Sequence, residues 1–135
     1  MKYVAVVAKL DGFEDLMGEV LGKDVILPKH AIEVCQDFNK NLPILGKAVV
    51  KKIEDDLVAY LDIDLIPDIA TKFYAVVGGS VLKRDGRVVK KWKLNGLALT
   101  AYPSDRRIGT LREPDDNEFP KNTVEKNPKK KRSKK

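Results

Sequence analysis

The nine residues Leu57 to Leu65 set the tightest limit on the fold, because Leu57, Ala59, Leu61, Ile63 and Leu65 alternate with Val58, Tyr60, Asp62 and Asp64. A period of two places the first set on one face of a β-strand and the second on the other. Ala48 to Ile53 comes just before, across Glu54-Asp55-Asp56, so the two runs predict a β-hairpin. A second hairpin is predicted where Val81–Lys83 and Arg87–Lys93 flank Arg84-Asp85-Gly86, since Asp-Gly accepts the positive φ of a tight turn. Tyr3–Leu10, Asp24–Leu27, Ala75–Ser80 and the alternating Leu97, Leu99 and Ala101 supply further strands. Within Ala75–Ser80 the pair Gly78-Gly79 lets the backbone kink or approach something closely.

Two stretches carry a helical period. Asp11 is a suitable N-cap for Phe13, Leu16, Met17, Val20 and Leu21, one apolar stripe that Gly22 would close. Pro28 opens the other, in which Ala31, Val34, Cys35 and Phe38 share a face. A short helical or turn segment is expected through Asp68–Phe73, after Pro67 ends the alternating strand. The expectation is an α+β domain: a small, strongly bent sheet or β-barrel of six to seven strands, with two short helices outside.

At 135 residues the chain suits one domain, read as residues 1–111. These carry 17 Lys/Arg against 15 Asp/Glu, whereas residues 112–135 carry nine against five, so much of the +6 net charge sits at the end. That end has few sizeable apolar groups and is expected to be a disordered basic tail. Lys129, Lys130, Lys131, Arg132, Lys134 and Lys135 are candidates for contact with nucleic acid or an acidic partner, or simply a solubilising terminus. No apolar run reaches the ~18 residues of a membrane span, and Met1–Leu10 is short for a signal segment, so an intracellular protein without a membrane partner is expected. One cysteine, Cys35, and one histidine, His30, weigh against a disulfide and a zinc site, and no cofactor is expected. Cys35 reads most simply as a small core hydrophobe.

Candidate chemistry is sparse. Ser80 follows two glycines like an exposed nucleophile, and His30 is the one imidazole available to serve it. Leu82, however, stands where the Gly-x-Ser-x-Gly turn needs its second glycine, and Gly78-Gly79 leads into no phosphate-binding loop. Asp62 and Asp64 have the spacing to share a cation, but alternate acids on an outward strand face usually meet water. Trp92 among Lys90, Lys91 and Lys93 offers a single-strand nucleic-acid surface, with Tyr74 or Tyr102 as stacking platforms. Strand alternation favours instead an inward Trp92 opposite an outward basic edge at Lys91 and Lys93.

The order of the pieces carries a resemblance. Val25-Ile26-Leu27-Pro28, then Pro43-Ile44-Leu45-Gly46-Lys47-Ala48, a hairpin, Tyr74-Ala75-Val76-Val77-Gly78-Gly79, and Leu94 through Asp105 resemble the tailed-phage prohead maturation protease family. That family is similar in fold to herpesvirus assemblin, a serine protease on a small β-barrel, and the resemblance spans Val25 to Asp105. It implies a histidine where this chain has Phe38, Asn39, Lys40 and Asn41, a serine at Val76 or Val77, and an acid at Gly96. Three mismatches imply a noncatalytic relative: a phage head assembly or structural protein. Its partners would be capsid or scaffold proteins, with DNA at the basic tail, and its location the host cytoplasm and then the virion head. A slipped register instead implies an active maturation protease using Ser80 and His30. Apart from the resemblance, a small nucleic-acid-binding barrel using Lys90–Lys93 and the tail remains open.

Overall fold

A computed structural model describes residues 1–120. Seven strands form a single sheet: β1 (Lys2–Lys9), β2 (Val20–Ile26), β3 (Ile32–Gln36), β4 (Gly46–Ile53), β5 (Asp56–Ile63), β6 (Tyr74–Asp85) and β7 (Val88–Thr100). Helical structure among the described residues is limited to one turn, α1 (Pro67–Ala70), and a 3-10 turn at Arg106–Ile108. Both predicted hairpins form. β4 and β5 pair across a turn in which Glu54 has φ 56°, and β6 and β7 pair across Gly86 at φ 59°. The alternating face of β5 is the centre of the core, with Leu57, Ala59 and Leu61 fully buried. Each such leucine contributes about 1.5–3 kcal/mol relative to an exposed one.

β7 is the spine. β6 runs antiparallel along one edge, while β2 and β3 lie parallel to it end to end along the other, β2 beside Val88–Lys93 and β3 beside Leu97–Leu99. Residues 20–36 therefore form one interrupted strand, broken near Pro28. This corrects both expected helices. Residues 13–19 are turns leading into β2, and the stretch from Ala31 to Phe38 is β3 and the turn after it. Asp11 does cap, but it caps a turn: its Oδ1 accepts from Phe13 N at 3.2 Å, and Asp15 Oδ1 likewise accepts from Met17 N and Glu19 N. Such local side-chain bonds compete with a helix, and Gly12 and Gly18 at positive φ interrupt it. Val20, Val25 and Val34 are β-branched and meet a ready ladder on β7, and Ile32 meets one on β4, which outweighs the helical spacing.

The sheet is not closed into a barrel. Its outer strands β1 and β6 approach one another, and among the described residues no ladder joins them. The chain itself occupies the seam. Val4 N donates to Arg112 O at 2.8 Å and Arg112 N to Val4 O at 3.1 Å, while Leu111 N donates to Phe73 O just before β6. Ile108 and Leu111 are buried in that gap, so β1 spends its free edge on this segment and not on β6.

Residues 112–120, expected within the disordered tail, pack on the body. Phe119 meets Tyr60 edge to face at 5.8 Å, with Lys2 over its ring at 5.0 Å. This cover explains why Tyr60, on the outer face of β5, is buried, and burial raises its phenol pKa. Arg112 makes a fork of two bonds to Glu118, which holds that carboxyl down at about 2. Lys129, Lys130, Lys131, Arg132, Lys134 and Lys135 lie outside the described residues.

Candidate functional site

Where the seam between β1 and β6 is not filled, it opens into a cavity of about 380 Å³, lined by Val7 and Ala8 of β1, Val76 and Val77 of β6, and Phe38. Asp37 and Phe38 turn the chain after β3 with φ of 51° and 54°, and the Asn39 N bond to Gln36 O closes that turn. The turn lays the Phe38 ring over the cross-strand pair Gly78 and Gly96. A Cβ at Gly78 would sit 2.7 Å from Phe38 Cε1, and one at Gly96 would sit 3.8 Å away. Gly78 thus permits a close approach, as the sequence anticipated, and the ring covers the glycine gap in the sheet.

A clip holds one side of this cavity. Arg107 donates to both oxygens of Asp105, at 2.9 and 2.8 Å, and to Asp11 Oδ2 at 2.8 Å. That guanidinium keeps the Asp105 carboxyl below the usual range. Leu16 N donates to Ser104 O, so the loop of residues 11–19 is tied to the segment after β7. Most ionisable groups on the wall are already engaged: Lys9 with Asp56, Glu19 with Arg84, and Asp15 with its own loop. Asp37 and the hydroxyls of Thr100, Tyr102 and Ser104 complete the polar part of the lining. Phe13, Leu16, Met17 and Tyr102 are largely exposed on the two tied segments.

The two nucleophilic-site candidates share no hydrogen bond. His30 is exposed in the bend between β2 and β3, and Ser80 is exposed on β6 with β7 between it and β2. Ser80 Oγ accepts from Asn95 Nδ2 at 3.2 Å. Cys35 is partly buried, with Sγ 3.5 Å from Leu97 O, and Asp62 pairs with the N-terminal ammonium at 3.2 Å. Among the described residues no three His, Cys, Asp or Glu side chains gather to hold a metal ion.

The remaining feature is the distal half of the β6–β7 hairpin, residues 80–93, with six Lys/Arg and one acid. Trp92 is buried there and donates to Gly22 O at 3.1 Å, while Lys90, Lys91 and Lys93 are exposed. The sequence missed Lys83 as a member of this group. Counting back from the turn would pair the wrong residues, because the register shifts on either side of Lys83. The cavity was also missed, since its walls come from β1, the Phe38 turn and β6, which no local pattern links. No protein-family model, curated protein or solved structure matches the chain.

Proposed function

We propose that the protein is a noncatalytic component of a tailed-phage head, built on a prohead-protease-like sheet. One observation carries the reading. The three places where the resemblance implies histidine, serine and acid converge: Phe38 lies against Gly78 and Gly96, and Val76 and Val77 line the same cavity. Val76, Val77 and Gly96 meet across the β6–β7 hairpin, and Phe38 reaches them because β3, which it follows, pairs with β7. What stands there is an aromatic ring, two valines and a hydrogen, none able to act as base or nucleophile.

A cavity whose charged wall groups are mostly engaged in ion pairs and loop hydrogen bonds serves recognition. The exposed Leu16, Met17 and Tyr102 at its side fit contact with a capsid or scaffold protein. The basic terminus from Lys129 to Lys135 would meet packaged DNA or an acidic scaffold surface, first in the host cytoplasm and then in the virion head.

The test follows intact mass over time for the protein alone and mixed with its phage's capsid precursor, beside Ser80→Ala, with sedimentation of the assembled particles. Full-length masses throughout and co-sedimentation with particles are expected. Cleavage that disappears with Ser80→Ala would overturn the reading in favour of an active protease drawing on Ser80 and His30. Absence from the particles would overturn a structural role in the head.

A further inference from the structure

The basic hairpin separates into two groups once its partners are known. Arg84 pairs with Glu19, Arg87 with Glu14 and Lys90 with Asp85. Lys83, Lys91 and Lys93 have no carboxylate within ion-pair distance among the described residues, although Asp24 is the β2 neighbour of Lys91. The register sets Lys83 directly opposite Lys91, and alternation sets Lys93 on the same face, with Ser80 as its cross-strand partner and Asn95 bonded to Ser80. Like charges directly opposite oppose pairing, so this arrangement works against the hairpin that carries it. Lysines do guard exposed edges, and that explains Lys83 on β6. It does not explain Lys91 and Lys93, because β7 is paired on both sides here and has no edge to guard.

We propose that this face of the β6–β7 hairpin binds the phosphate backbone of double-stranded nucleic acid, with Lys83, Lys91 and Lys93 as the charged contacts and Ser80 and Asn95 as neutral ones. Unpaired ammonium groups with a hydroxyl and an amide beside them are the groups that meet phosphate and sugar oxygens. Trp92 on the opposite face ties β7 to β2 through Gly22, so the lysines stand on a three-stranded platform. No aromatic ring is exposed on the hairpin to stack unpaired bases, which favours duplex over single strand. The inference goes beyond the head-assembly reading and does not rest on it.

The test compares full-length protein with K83Q/K91Q/K93Q and with K29Q/K51Q/K72Q, which removes three exposed charges elsewhere, in binding to a 20-base-pair DNA across a salt series. The hairpin variant is expected to lose at least roughly tenfold in affinity at low salt, and its slope of log K against log salt should flatten by about 2.7, three contacts at about 0.9 each. The control triple should keep most of the affinity, and both variants should melt no lower than the parent. Equal losses in the two variants, or binding unchanged in the hairpin variant, would overturn the proposal and leave unspecific attraction by net charge or the tail. Polyglutamate competing as well as DNA at equal charge would also overturn it, making the face an acidic-protein surface.

Discussion

The β1–β5–β4 side of the sheet and the outer half of the β6–β7 hairpin are both antiparallel ladders, yet they hold their shape by different means. On β5 every inward side chain from Leu57 to Ile63 is buried, and the outer Tyr60 is covered by Phe119. On β6 every residue from Gly79 to Asp85 is exposed, and the hairpin depends on backbone pairing, the buried Val89 and Trp92 of β7 and ion pairs to the loop of residues 11–19. Burial on two faces makes a strand a stability element. Exposure on both leaves it free to carry charge for a partner.

Four substitutions test that contrast. The largest effect is expected at Leu61→Ala, which empties a fully buried site and should cost about 2–5 kcal/mol in urea unfolding. A loss below about 1 kcal/mol there would break the contrast, since a core position would then behave as an exposed one. Next is Gly79→Ala at the root of the hairpin. The new Cβ would sit 2.5 Å from Lys93 O, a backbone atom that cannot swing aside, and the ladder must open at a cost of about 1–3 kcal/mol. Weaker amide protection confined to residues 79–93 would locate that opening by hydrogen exchange.

Glu118→Gln sharpens the role of the covering segment. Its folded pKa near 2 lies below the ordinary value of 4.5, so the Arg112 pair stabilises the fold above about pH 4.5 and loses that contribution as pH falls toward 2. The parent should therefore lose more stability than the variant over that interval. Arg112 is half exposed, so the difference should stay below about 1 kcal/mol, and parallel urea midpoints against pH would remove the pair from the account. The smallest effect is expected at Leu82→Ala, an exposed leucine on the hairpin, within about 0.5 kcal/mol of the parent by the same urea assay.

Legibility in the sequence followed the range of the interactions. The β4–β5 and β6–β7 hairpins were readable because turn chemistry and alternation lie within a dozen residues of each other. Trp92 was readable as an inward residue for the same reason. Val34 and Cys35 were misread as one side of a helix because their pairing partners, Leu97 and Ala98, are more than sixty residues away. The site was legible in part: Gly78 announced a close approach, but Phe38 as the approaching group did not show, since a turn with two consecutive positive φ values at Asp37 and Phe38 has no glycine to mark it.

By itself the sequence determined the antiparallel hairpins, the buried face of β5 and the basic character of the hairpin strand, all of which follow from side-chain period and local turn geometry. Only the tertiary structure decided that residues 20–36 run as strands beside β7, that residues 108–112 occupy the seam in place of a β1–β6 ladder, and that Lys83, Lys91 and Lys93 stand together with no carboxylate at ion-pair distance among the described residues. Parallel pairing, seam filling and charge neutralisation each depend on which distant backbone edge or carboxylate arrives within reach, and no local pattern in a chain encodes that distance.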